Sequence, residues 1–399
     1  VAIDIYNPDN YTAGIPHEQF AWLRDNAPVY WHQHPQGGGY WVVSRHADVV
    51  TVSRDFRTYS AEQGFVLVDD LPDDILSMAR NQLLGMDPPR HAPLRRAVIT
   101  RFTSSRLQQL EPGIRAIARD IMARARDLGE VNFVEDLAGD LPTAVICSLL
   151  DIPRDMWAQI RRWSDLQTSA SDPDLGGTPD EVNQASVEMG TYGFELACER
   201  KDRGGEDLIS LLINQEVDGQ KVTEAEFASL FIQITVAGNE TTRGLISSGL
   251  YQLASRPQLY RELESHRGLI PSAVEEMLRW TCPLHYFRRT ATADAELAGQ
   301  AIKAGDKVVM LYSSANFDER VFDKPMTFDI HRDPNPHLAF GHGIHLCLGA
   351  NLARLEARIF LEEFFEQFSG LELTAEPTFI RSNLVHGFKD MPARLLPRD

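Results

Sequence analysis

The sequence predicts a mainly helical domain with small peripheral β-sheets. Two observations carry this expectation: helical periodicity dominates the chain, and strand-like alternation is confined to short pieces. No internal repeat or low-complexity tract suggests an array or a tether. Four segments carry the helical pattern. RFTSSRLQQLEPGIRAIARDIMARARDL, residues 101–128, is the first. The second, Thr223 to Pro257, opens on a capping box of Thr223 and Glu226, keeps apolar residues at spacings of three and four, and stops at proline. At some thirty residues it is long enough to cross a compact domain. PSAVEEMLRW and NLARLEARIFLEEFFEQF complete the set. Strands are expected within YWVVSR, AELAGQAIKAGDKVVML and LVHGFKDMPARLL.

The 399 residues are 43% hydrophobic, enough for a large core. The Pro- and Gly-rich stretches at 34–40 and 171–180 are short and flanked by patterned sequence, so they read as loops, and a single domain spanning 1–399 is expected. A net charge of −18 argues against nucleic-acid and anionic-membrane partners. The N-terminus lacks a basic head and an apolar run, and no stretch of about 18 apolar residues occurs, so a soluble, cytoplasmic protein is expected; a monomer is the accompanying expectation. Cys147, Cys198, Cys282 and Cys347 lie far apart with no C-x-x-C pair, so neither a disulfide framework nor a cysteine-rich metal site is indicated.

Cys347 stands apart from the other thiols. It lies in F-G-x-G-x-H-x-C-x-G, formed by Phe340, Gly341, Gly343, His345, Cys347 and Gly349, directly before a helical pattern. A thiol beside a helix N-terminus is expected to have a lowered pKa, which suits a metal ligand or a nucleophile. The glycines let the chain approach a flat object and aim N–H groups at the sulfur. Six fixed residues would match by accident in on the order of one chain in 10^5 of this length. A buried structural cysteine, the usual fate of a lone Cys, does not explain that pattern.

These residues resemble those of the cytochrome P450 haem-thiolate monooxygenases, in particular their soluble bacterial members. The resemblance implies the cytochrome P450 fold, haem b (iron protoporphyrin IX) with Cys347 as axial ligand, and dioxygen as co-substrate. Phe340, Gly341, Gly349 and Ala237 would border the cofactor. His91 and Arg95 in MDPPRHAPLRR, Arg289 in FRRTATADAEL and His345 would receive the haem propionates. Glu276 and Arg279, in E-x-x-R spacing, would join Arg332 of PMTFDIHRDP in a buried structural network. Phe317, in ANFDE, replaces an arginine often seen there and leaves the local charge pairing open.

AGNETTR, Ala237 to Arg243, places a glycine inside the longest helix, which costs roughly 1 kcal/mol against alanine and opens space beside it. By the resemblance, Glu240 and Thr241 form the acid–alcohol pair that relays protons during dioxygen activation. Peroxide-driven relatives generally lack that pair. The chain contains no flavin or dinucleotide fingerprint and no cysteine set for an iron–sulfur cluster, so two electrons must come from a separate protein, expected to be a ferredoxin with its reductase. Arg96, Arg101, Arg106, Arg354 and Arg358 are candidates for its docking patch.

For substrate contacts, counting back from Thr241 by fours gives Ala237 and Gln233 on one helix face. The resemblance adds Leu284, His285, Phe287, Leu384, Val385 and the loop QGFVLVDDLPDDILSMARNQLL. Such a lining is apolar with a few polar handles, Gln233 and His285 among them, and fits a small hydrophobic molecule. Hydroxylation of an unactivated C–H in a terpenoid, branched lipid or sterol side chain is the expected reaction. Small aromatic and macrolide substrates are alternatives. A haem-binding sensor or carrier without turnover would not need Glu240 and Thr241. A zinc protein using His342, His345 and Cys347 would need a distant ligand pair that the glycine-rich loop does not supply.

Overall fold

The computed structural model describes residues 2–100, 102–203, 205, 207–214, 216–217 and 219–398. Its frame is a set of helices: α1 (His91–Ile99), α2 (Ser104–Leu128), α3 (Asp140–Leu149), α4 (Trp157–Thr168), α5 (Pro179–Arg200), α6 (Glu224–Ala254), α7 (Ile270–Thr281) and α8 (Ala350–Gln367). The reciprocal Thr223 and Glu226 cap opens α6, with Glu226 N–H donating to Thr223 Oγ1 at 3.2 Å and Thr223 N–H to the Glu226 carboxylate at 3.0 Å. With 31 residues, α6 is about 46 Å long and packs against α3, α4, α5, α7 and α8. It therefore buries apolar side chains around most of its circumference, among them Phe231, Leu245, Leu250 and Leu253. On α8, Phe360 and Phe364 are one turn apart and stack at 6.2 Å, and Phe133 meets both rings edge-on.

Strands β1 (Val29–Gln33), β2 (Gly39–Val43), β3 (Tyr59–Ser60), β5 (Tyr286–Ala291) and β6 (Lys307–Leu311) form a sheet in the order β1-β2-β6-β5-β3. The β2–β6 pair is parallel and the others antiparallel. A three-stranded sheet joins β7 (Phe368–Leu373) and β8 (Pro392–Pro397), which follow α8, to β4 (Glu130–Asn132), in the order β7-β8-β4. The alternation expected across 384–396 is realised only from Phe388 onward. Residues 384–386 instead bond back to the chain after α7, His285 N–H donating to the Leu384 carbonyl at 2.8 Å and His386 N–H to the Pro283 carbonyl at 2.9 Å.

Behind α7 lies a buried acid that accepts five hydrogen bonds from four residues. Glu276, 0% exposed, accepts from Arg279 Nε and Nη2 at 2.8 and 2.7 Å, from Arg332 Nε at 3.1 Å, from Asn335 Nδ2 at 3.1 Å and from the Asp329 backbone N–H at 2.9 Å. Arg279 also donates to the carbonyls of Asn316 and Pro325 at 2.9 and 3.0 Å. Phe317 answers the question its sequence context raised: the Arg279 guanidinium stands 5.0 Å from its ring centroid, so an aromatic face flanks the cation. Removing the shared acceptor strands two buried guanidiniums. Glu276→Ala is expected to lower unfolding free energy by about 3 to 5 kcal/mol, read from denaturant titration.

Candidate active site

Between α6, α1 and the loop entering α8 lies a cavity with about 1350 Å³ of space free of protein atoms, part of it open to solvent. Cys347, Phe340, Gly341 and Gly349 form its floor. Cys347 N–H donates to the Phe340 carbonyl at 2.9 Å and closes the loop beneath the thiol. Cys347 is exposed to this cavity while protein packs closely around the thiol. Burial consequently raises the Cys347 pKa above the ordinary thiol value, although the Gly349 N–H, Arg95 and Arg354 pull it down. The lowered value expected from helix proximity is thus corrected: desolvation outweighs the favourable dipoles and cations in this structure.

The loop glycines have separate reasons. Gly341 and Gly343 take φ of +69° and +72°, where L side chains are strained. A Cβ at Gly343 would also stand 2.2 Å from the Ser53 carbonyl oxygen, so this glycine serves packing against the helix Ala47 belongs to, while Gly341 lines the cavity. A Cβ at Gly349 would meet nothing within 4 Å. That glycine leaves the cavity open beside the sulfur.

The cavity edge collects nitrogen groups. His91 and Arg95, one turn apart on α1, line it with His345. The His91 and His345 rings are 4.7 Å apart, and His91 Nε2 and both ring nitrogens of His345 are buried without a hydrogen-bond partner among the described residues. Burial lowers the pKa of both, His91 to about 4 with His345 and Arg95 adding to the effect; for His345, Asp87 opposes the shift. Arg95 donates to the Leu346 carbonyl at 2.5 Å and Arg289 to the Arg288 carbonyl at 2.7 Å, and neither has an ion-pair partner among the described residues. Strand alternation sends the adjacent Arg288 elsewhere, where the carbonyls of Gln63, Val68 and Asp69 and the Asp70 carboxylate occupy it. Asp87, with Oδ1 3.9 Å from His345 Nε2, is the one carboxylate beside this group among the described residues; half-buried Arg95 and the imidazoles on the lining, with buried Arg289 behind it, leave an excess of donors that fits the carboxylates of an anionic group such as haem.

The opposite wall is α6, contributing Gln233, Ala237, Gly238, Thr241 and Thr242. Helix α6 runs unbroken through this segment, with Thr241 Oγ1 donating to the Ala237 carbonyl at 2.8 Å. Glu240 does not line the cavity. It is 2% exposed and paired to Arg243, whose Nη1 also donates to Asp165 at 3.0 Å. Burial pushes the Glu240 carboxyl up, Arg243 opposing and Asp165 adding to the rise. The expected acid and alcohol are adjacent in sequence but face different surroundings.

Of the expected substrate contacts, Gln233, Ala237, Leu284 and Phe287 line the cavity. His285, Leu384 and Val385 do not, and these expectations are corrected. His285 is fully buried between Tyr11 and His386, at 4.6 and 5.2 Å between centroids, and its Nδ1 bonds Ser313 at 3.1 Å. Leu384 packs in the cluster containing Tyr11 and Phe20, and Val385 pairs through its backbone with Leu284. The loop at 63–84 reaches the cavity only through Leu83 and Leu84. Tyr312 and Glu356 are lining residues that sequence reasoning missed. Glu356 follows Cys347 by nine residues within an otherwise ordinary helical pattern, so nothing local marked it.

The arginine patch is also revised. Arg354 is held by Glu275 through bonds of 2.6 and 2.8 Å, and Arg358 by Glu111 and Glu362 at 2.7 and 3.1 Å. Their charges are largely compensated, while Arg96 remains exposed. Arg101 lies outside the described residues. His342, weighed as a zinc ligand, accepts from Arg54 Nε at 2.9 Å on the exposed side of the loop.

Residues 195–387 match the protein-family model described as Cytochrome P450. The chain is 37% identical over 397 residues to the steroid C26-monooxygenase of Rhodococcus jostii (strain RHA1), covering 97% of this chain and 83% of that one. It is 38% identical over 385 residues to the methyl-branched lipid omega-hydroxylase of Mycobacterium tuberculosis (strain ATCC 25618 / H37Rv), covering 94% and 89%. Among solved structures, a Mycobacterium marinum cytochrome P450 in complex with pseudoionone is similar with a TM-score of 0.93 and 37% identity, over 99% of this chain and 98% of that one. Among the described residues no helix is long and apolar enough to cross a membrane.

Glu356 generates a pH prediction. Its carboxyl is buried, one oxygen has no partner among the described residues, and burial raises its pKa from 4.5 to about 8. The folded chain keeps this proton after the unfolded chain has released it, so stability falls as pH rises from 4.5 to about 8. Glu356→Gln should remove that loss: its melting temperature relative to the parent protein rises across this window. Parallel melting profiles would contradict the assignment.

Proposed function

Because the chain belongs to the cytochrome P450 family and is a P450 monooxygenase, we propose that it hydroxylates an unactivated C–H of a terpenoid, methyl-branched lipid or sterol side chain. It does so with haem b, dioxygen and two electrons from a ferredoxin and its reductase, as a cytoplasmic monomer. The observation that carries this reading is the cavity itself, where Cys347, uncompensated nitrogen groups and Thr241 border one largely apolar space. The relatives named steroid C26-monooxygenase and methyl-branched lipid omega-hydroxylase support the substrate class.

Cys347 would hold the haem iron through Sγ, and His91, Arg95, Arg289 and His345 would hold the propionates. When bound, haem supplies reductive activation of dioxygen and transfer of one oxygen atom into a C–H bond. Around it the protein binds, orients and manages protons. The Phe340 carbonyl bond and the Gly349 N–H keep the Cys347 sulfur directed into the cavity. Ala237 and Gly238 keep the α6 wall low beside the reaction volume. Thr241 holds a proton at Oγ1; released from the Ala237 carbonyl by rotation about χ1, that hydroxyl donates into the cavity. For Glu240 to replace the proton, its carboxyl must first exchange Arg243 for water, because Arg243 stabilises its ionised form. Leu284, Phe287 and Leu83 present apolar surface that excludes bulk water and favours a hydrophobic substrate.

The reduced, carbon-monoxide-bound protein is expected to show the red-shifted thiolate band, and Cys347→Ala to lack it; a parent protein without the band would reject the reading. Thr241→Ala should leave that band intact and lower product formed per electron consumed by roughly ten-fold or more. Unchanged coupling would remove Thr241 from proton handling.

A further inference from the structure

The cavity's polar groups divide by location. His91, Arg95, His345 and Cys347 belong to the edge and floor, whereas the α6 wall carries Gln233, Thr241 and Thr242 among apolar neighbours. Gln233 Oε1 accepts from the Leu83 backbone N–H at 2.8 Å. A backbone N–H only donates, so the atom facing it must be the amide oxygen, and this fixes the orientation of the side chain. What Gln233 can offer the cavity is therefore its NH2 group, a donor. Gln233 lies eight residues before Thr241, a separation of about 12 Å along the helix, and the two share one face. Leu83, Leu84, Ile234, Leu284 and Phe287 line the cavity with apolar surface.

Resting on the monooxygenase reading above, we propose that Gln233 is a specificity-determining hydrogen-bond donor, so that the preferred substrate is an elongated hydrophobic molecule with an acceptor oxygen roughly 12 Å from the carbon hydroxylated beside Thr241. The oxygen accepts from the Gln233 NH2 group and the apolar body fills the space toward Thr241. The Leu83 bond holds the amide in place before substrate arrives, so little side-chain freedom is lost on binding. Hydrocarbons of the same shape fit but leave the donor unpaired, and they are positioned less well.

The test compares a methyl-branched ketone with the hydrocarbon that has CH2 in place of its carbonyl, each titrated into the haem-loaded enzyme by its optical shift. A ketone gives up hydrogen bonds to water on entry, so without a donor in the cavity the hydrocarbon binds more tightly. With Gln233 as donor the ketone is expected to bind roughly ten-fold more tightly, and hydroxylation falls at the end of the molecule far from the oxygen. Gln233→Met should erase the preference of ketone over hydrocarbon and spread the products over several carbons. Equal or weaker ketone binding by the parent enzyme, binding of neither ligand, or a preference that survives in Gln233→Met overturns the proposal. Should the variant fail to fold, the parent enzyme's ligand preference and product position decide it. The thiolate band of the carbon-monoxide complex is read in every sample: its absence rejects the monooxygenase reading, and its presence confines a failure to Gln233.

Discussion

Glu276 is the acceptor on which the cysteine loop depends. It gathers Arg279, Arg332, Asn335 and the Asp329 backbone inside the protein. Arg279 passes the constraint to the Asn316 carbonyl, and Asn316 Oδ1 in turn accepts from Leu338 N–H at 2.7 Å, at the start of the loop that carries Cys347. A sequence gap of 62 residues between Glu276 and Leu338 is thus spanned by two side chains. A buried charge network of this kind is costly to desolvate, and its advantage lies in permitting one arrangement of the segment. The loop below the cavity inherits that uniqueness.

The same logic separates two kinds of buried charge around the cavity. Glu240, Arg243 and Asp165 compensate one another within the helical frame. Arg289 is buried and Arg95 half-buried, neither with a carboxylate partner among the described residues, next to His91, whose Nε2 lacks a hydrogen-bond partner among them. Groups left in that condition are expensive unless something else supplies the opposite charge, which is why they mark a ligand edge and the Glu240 network does not. Gln233 follows an intermediate rule, one end committed to the chain and the other available.

Local pattern reported the helices well because their signals are short-range: the Thr223–Glu226 box and the recurring apolar spacing both act within a few turns. It failed where a segment's partners lie far away in the chain. Residues 384–386 have strand-like composition but bond to 283–285, which leaves His285 packed behind the cavity wall and not on it. Arg354 and Arg358 look like exposed basic residues until Glu275 and Glu111 are folded against them. Glu356 is one more acid on an amphipathic helix until burial is known.

Sequence alone determined the family likeness, the long helix and the identity of the residues at the floor and wall of the cavity, because the Cys347 motif and the A-G-x-E-T-T segment are contiguous and chemically unusual. Tertiary structure alone decided which way those residues face. Thr241 and Glu240 are neighbours, yet a step of about 100° around a helix turns one to the cavity and the other to Arg243. The Leu83 amide, 150 residues from Gln233, decided which end of that side chain is free. Directions of this kind follow from long-range packing, which no local spacing encodes.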